Sequence, residues 1–144
     1  MKLFVAYRRA TLLYPSGPAQ DPERNHLFIV LTNPAEVLDF AGKHSLLVGV
    51  SSVYPGVPHD PACELHKDDH EFIKHKSYVI YAEARIELAQ SLINGVKKGF
   101  LVPKGMLAED IFARVCHGLA QSRFTAPRIL AFYEAVGVAM SKGT

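Results

Sequence analysis

The sequence predicts an α+β protein: a small curved antiparallel sheet, or half-barrel, with C-terminal helices packed on it. Three observations predict it. β-branched and aromatic runs fill the first half of the chain. Amphipathic helical spacing belongs to the second half. The two kinds are segregated, whereas a parallel sheet would need strands and helices to alternate as βαβ units. All 144 residues are expected in one domain, with 1–103 mostly β with one candidate helix and 104–140 forming two C-terminal helices.

Taken in order, Leu3–Tyr7 and Thr11–Tyr14 are β-prone and interrupted by Arg8-Arg9, and Pro15-Ser16-Gly17-Pro18 closes them with turn chemistry. A polar loop, Ala19–Asn25, follows. His26–Thr32 is a near-continuous apolar run ended by Asn33-Pro34, which predicts a central strand buried on both faces. Ala35–Ala41 suits a short helix or a loop, ended by Gly42. Ser45–Ser52 is the second central strand, with Ser51 and Ser52 at its exit. Gly49 within it marks a bend, a bulge or a close backbone approach. The loop Tyr54–Pro61 contains three prolines, which stiffen it, and one glycine, and is expected to be non-helical. Ser77–Ala82 is a further strand. Ile86, Ala89, Leu92, Ile93 and Val96 recur at helical spacing, predicting a helix over Ala84–Asn94, with Phe100–Val102 an edge strand before Pro103. Leu107, Ile111, Val115 and Leu119 line one face of a helix at Leu107–Ala120. Thr125 is placed to cap a last helix, Ala126–Gly137, with Pro127 in its first turn; Ser141 to Thr144 are expected to fray.

A hydrophobic share of 49% against 21% charged residues excludes a fully disordered chain. A formal charge of +2 permits an anionic partner without demanding one, since basic clusters such as Lys74-His75-Lys76 and Lys97-Lys98 are short and form no stripe. No apolar run approaches the roughly 18 residues of a membrane span, and Arg8-Arg9 interrupt any signal-like start. Cys63 and Cys116 do not make a disulfide framework, so a reducing cytosol is expected.

The chemistry is concentrated in His59–Tyr81. That stretch holds His59, His66, His70 and His75, together with Cys63 and a run of carboxylates, and it leads into Ser77-Tyr78-Val79-Ile80-Tyr81. A titratable loop pinned to a rigid strand is a common way to hold functional groups. Tyr78 and Tyr81 are an odd number of residues apart, so only one of them can line a site on that sheet.

Thr11-Leu12-Leu13-Tyr14-Pro15-Ser16-Gly17-Pro18, the run His26 to Leu31, Leu46 to Ser52, and Ser77 to Arg85 together resemble the PemK/MazF-like toxins of toxin-antitoxin systems. The likeness lies in order and pattern over roughly the first 85 residues. It implies an SH3-like barrel, commonly a homodimer, that cleaves single-stranded RNA without a metal ion or other cofactor and is held by an antitoxin-like protein. Ser51 or Ser52 matches the family's strand-end Ser/Thr, and Arg85 its downstream Arg. His26-Leu27 stands where the family has Arg-Pro, replacing a cation by a titratable ring.

Metal-independent RNA cleavage needs a base for the 2'-hydroxyl, an acid for the leaving 5'-oxygen, and donors or cations for the phosphorane. Histidine, with an unperturbed pKa of about 6.5, suits the first two; hydroxyls and an arginine suit the third. The candidate catalytic set is therefore His26, Ser51, Ser52, His70, His75 and Arg85. Two other readings stand beside it. One is a barrel that only binds protein or nucleic acid. The other is a metal-binding hydrolase built on Cys63, His66, His70 and His75, with His66 and His70 sharing a helical face. Asp60, Asp68 and Asp69 suit turn chemistry better than acid–base work.

Overall fold

A computed structural model describes residues 4–15 and 25–142. Leu3, the Ser16-Gly17-Pro18 turn, the polar loop over 19–24 and the terminal Gly143 and Thr144 lie outside the described residues. The elements are β1 (Ala10–Pro15), β2 (Asn25–Val30), β3 (His44–Ser52), β4 (Glu64–Leu65), β5 (Ser77–Leu88), α1 (Ala89–Lys97), β6 (Val102–Met106), α2 (Glu109–Gln121) and α3 (Pro127–Lys142). The fold is α+β: a six-stranded antiparallel sheet in the order β4-β5-β3-β2-β1-β6, curled into a half-barrel, with three helices packed on it, two of them C-terminal.

The two central strands β2 and β3 are apolar on both sides because both sides are covered. Leu27, Ile29, Leu31, Leu46, Val48 and Val50 face a large core shared with Val115 and Leu119 of α2 and Ile129 and Phe132 of α3. Phe28, Val30 and Leu47 face a smaller core with Leu12, Ala89, Leu92 and Leu101. At roughly 1.5–3 kcal/mol per fully buried large aliphatic side chain, this double burial is the main force setting the register.

Four sequence expectations are corrected. Phe4–Tyr7 is not a strand; it packs irregularly, with Ala6 buried and its carbonyl accepting from the Ser45 hydroxyl at 3.3 Å. The helix expected over Ala84–Asn94 begins only at Ala89, because residues up to Leu88 pair with β3 through Leu47–Arg85, Leu46–Ile86 and Ser45–Glu87. The edge strand runs through Pro103 to Met106 rather than stopping before it. Pro103 is tolerated there because β6 lies at the sheet edge. Thr125 does not cap α3: its buried hydroxyl donates to the Leu119 carbonyl at 2.7 Å, closing the end of α2. Ala35–Ala41, left open between helix and loop, is irregular, with Leu38 at φ 56.

Two features make the sheet curl. Between the pairs Leu47–Arg85 and Gly49–Ile80, Val48 alone stands opposite the residues from Tyr81 to Ala84, a bulge that bends β5. Gly49 sits there, and a Cβ on it would press on the Phe28 ring, so the position is both a bulge and a close approach. The curl then brings the segment after β4 against the opposite edge. His70 Nε2 lies 3.0 Å from Thr11 Oγ1 on β1 and 3.0 Å from the Lys104 carbonyl on β6.

The large core is closed by α2 lying almost on β5. The Tyr81 hydroxyl donates to the Val115 carbonyl at 2.6 Å, and a Cβ on Gly118 would overlap that hydroxyl. Because Tyr81 is fully buried and anchored, it has no room to retreat. Gly118→Ala is therefore expected to destabilise by about 1–3 kcal/mol, although alanine favours helix; urea unfolding checks it, and an unchanged midpoint would contradict this packing.

Candidate functional site

The strand register places the polar candidates. Cross-strand partners share a face, and alternate residues along a strand return to it. Tyr14 pairs with His26, and Ser51 pairs with Tyr78. One step beyond the Leu27–Val50 pair, His26 falls beside Ser51. Tyr14, His26, Ser51 and Tyr78 thus form a row across β1, β2, β3 and β5 on the face away from α2 and α3. Tyr81 is on the other face and buried, as the odd separation requires.

A cleft of about 220 Å³ opens at the strand ends, lined by His26, Ser51, Ser52 and His75 along with Phe72 and Lys74. Within it, Ser52 Oγ and His75 Nε2 are 2.6 Å apart. A second cavity of about 220 Å³ adjoins it and shares His26; Phe28, Gly49, Ile80, Glu83 and Arg85 complete it. The bulge in β5 gives Arg85 its place: its guanidinium lies 4.8 Å from the Tyr14 ring centroid and 5.1 Å from that of Phe28. These are cation–π distances that hold the guanidinium over two rings. Burial, together with the Glu87 carboxylate, pushes the Tyr14 phenol up, so Tyr14 stays protonated and donates to Glu87 at 3.4 Å.

Five of the six candidate residues therefore line two cavities that share an imidazole. His70 is not brought there. Its Nδ1 accepts the Phe72 amide at 3.0 Å, so the ring proton sits on Nε2, facing Thr11 and the Lys104 carbonyl. Nε2 joins the segment to the opposite sheet edge, Nδ1 is taken by the local Phe72 amide, and the ring is buried. The flanking apolar pair behaves unequally: Ile73 is buried, whereas Phe72 is exposed and lines the cleft.

The metal-centre reading does not assemble. Among the described residues no three His, Cys, Asp or Glu side chains are grouped to hold a metal ion. Cys63 is buried, His66 is exposed, and His70 and His75 have separate partners. His66 and His70 do not share a helical face, because the turn between them is a three-residue 3-10 helix, Lys67–Asp69. Asp60 accepts from the Ala62 amide and the Ser122 hydroxyl, and Asp69 accepts from the His66 amide and pairs with Arg114 at 3.1 Å, so both serve structure.

No protein-family model matches the sequence, and no curated protein matches it.

Sequence reasoning missed three residues of this face: Tyr14, Phe28 and Glu83. The signal for the last was present. Glu83-Ala84-Arg85-Ile86-Glu87-Leu88 alternates with period two, which marks a strand with Glu83, Arg85 and Glu87 on one side.

Near the row, the His59 ring packs at a tilt against Tyr78, centroids 5.2 Å apart, and its Nε2 lies 2.6 Å from Glu64, whose other oxygen is 3.4 Å from Lys76 Nζ. The His59 hydrogen bond holds the Glu64 carboxyl below its ordinary range; burial partly offsets this, and Lys76 adds to the lowering. A carboxyl lowered in the folded state contributes stability above its unfolded value of about 4.3, lost as pH falls through the folded value. Glu64→Gln should be slightly less stable than wild type at pH 7, with the gap closing below about pH 4.3; chemical melts at the two pH values test this. The His70 bridge gives a larger expectation. His70→Ala removes the link from this segment to Thr11 and the Lys104 carbonyl and the acceptor of the Phe72 amide, while the Thr11 hydroxyl keeps the Lys104 and Gly105 carbonyls, and should destabilise by about 1–3 kcal/mol, read as a lower urea midpoint.

Proposed function

We propose that the chain acts on single-stranded RNA, cleaving it without a metal ion at the strand-end cleft. The observation that carries this is that His26 and His75, two imidazoles far apart in sequence, line one cleft with Ser51 and Ser52. In the reaction the 2'-oxygen attacks the adjacent phosphorus while the bond from phosphorus to the 5'-oxygen breaks. One imidazole takes the 2'-hydroxyl proton and the other, protonated, gives one to the leaving oxygen, leaving a 2',3'-cyclic phosphate and a free 5'-hydroxyl. Ser52, beside His75, supplies a hydrogen bond at the phosphorane, with Ser51 on the strand face of His26 and Arg85 as the cation of the adjoining cavity. Tyr14 and Tyr78, at the rim of this face, offer rings on which unpaired bases stack, a mode suited to single strands.

This reading agrees with the resemblance to PemK/MazF-like toxins, and with it come the further proposals of an SH3-like barrel, a cytoplasmic setting, an antitoxin-like protein partner and a homodimer. No helix among the described residues is long and apolar enough to cross a membrane.

One observation favours a second reading, an RNA-binding module without catalysis: Arg85 is held against Tyr14 and Phe28, a posture suited to stacking. One experiment separates the two. Purified protein is incubated with labelled single-stranded RNA in EDTA. Cleavage is expected to persist and to fall about 10²–10⁴-fold in His26→Ala and in His75→Ala, with His70→Ala cleaving normally at a temperature where it stays folded. RNA bound but uncut would leave the binding module, and neither binding nor cleavage would end the RNA reading.

A further inference from the structure

On another part of the molecule, between the exit of β2 and helices α2 and α3, lies a cavity of about 710 Å³ that shares no lining residue with the strand-end cleft. Its size falls in the range of small-molecule sites. Leu31, Phe112, Val136 and Met140 give it an apolar body, and Arg8 stands at its mouth.

The two neighbouring arginines have been given different tasks. Arg9 adopts φ 79, a left-handed backbone that is costly for a residue with a Cβ. It is held there by its amide on the Val30 carbonyl at 2.9 Å, its Nε on the Leu107 carbonyl at 2.8 Å, and an ion pair to Glu109 at 3.4 Å. Arg8 is fixed by its backbone, whose amide donates to Asn33 Oδ1 at 3.0 Å. Its guanidinium lies 5.4 Å from the centroid of the Phe112 ring. Among the described residues no carboxylate pairs with it, and the carboxylate that lines the cavity, Glu109, faces Arg9. A cation thus sits over an aromatic ring at the edge of a cavity with an apolar body.

We infer that this cavity binds a small carboxylate with an apolar body, the guanidinium of Arg8 taking the carboxylate and the body lying against Phe112, Leu31 and Val136. A guanidinium offers two parallel N–H donors to the two oxygens of a carboxylate. One cation matches one negative charge, whereas a phosphate monoester, near −2 at neutral pH, calls for more donors than Arg8 alone supplies. The apolar walls hold the hydrocarbon out of water.

The probe is octanoate, titrated by calorimetry into the full chain at low salt, with octanol as its uncharged equivalent. Octanoate is expected to bind with one site per chain and at least about 10-fold more tightly than octanol. Arg8→Gln, at an exposed position that leaves the core untouched, is expected to weaken octanoate about 10-fold or more while leaving octanol unchanged. Arg8→Lys, which keeps the charge and loses the fork, should fall between the two. No octanoate binding to wild type overturns the inference, including the case in which a second copy of the chain covers the cavity. So does octanol binding as tightly as octanoate, or Arg8→Gln binding octanoate as wild type does. RNA cleavage is not read in any arm, so failure here is distinct from failure of the proposed function.

Discussion

The bend in β5 opposite Val48 sets the positions of most other groups in the molecule. An antiparallel sheet with even register would leave the turn after β4 and strand β6 at opposite ends of six strands. With several β5 residues facing Val48 alone, the ladder turns, and the chain after β4 reaches β1 and β6. His70 joins them at the meeting point through Thr11 and the Lys104 carbonyl. The same bulge turns Arg85 onto the Tyr14 and Phe28 rings, and Gly49 is the residue that lets Phe28 lie close enough. The curl of the half-barrel and the formation of the arginine cavity are therefore two results of one backbone irregularity.

Identical side-chain types are divided between structure and surface according to what the fold places beside them. His70 is enclosed by two hydrogen-bond acceptors and an amide, whereas His75, five residues later in the chain, is exposed and meets a serine hydroxyl. Arg9 satisfies the Leu107 carbonyl while Arg8 faces a cavity. In each pair the more enclosed partner is the one held by other parts of the chain, because an unmatched buried donor or acceptor would cost on the order of 1–3 kcal/mol.

Much of the fold was legible. The both-face burial of β2 and β3 followed from their unbroken apolar runs, and the stripe Leu107, Ile111, Val115, Leu119 is buried as its spacing required. The segment Ala84–Leu88 was misread because Ile86 and Ala89 fit both a helical and an alternating pattern; the pairing with His44–Leu47 decided for strand. Thr125 was misread for a related reason. A threonine before Pro127 can turn its hydroxyl toward the coming helix or the one behind it, and the unsatisfied Leu119 carbonyl was nearer.

For the candidate site, the sequence by itself determined which groups could do acid–base or anion chemistry, and that Ser51, Ser52 and His26 would sit at strand ends. It determined the α+β class as well, since periodicity and composition are local properties that burial then enforces. Only the tertiary structure decided that His26 and His75 share a cleft, that His70 does not, and that Arg85 lies on aromatic rings. Those outcomes depend on the curl of the sheet and the register across four strands. Curl and register arise from the sum of many long-range contacts, and no local stretch of residues encodes them.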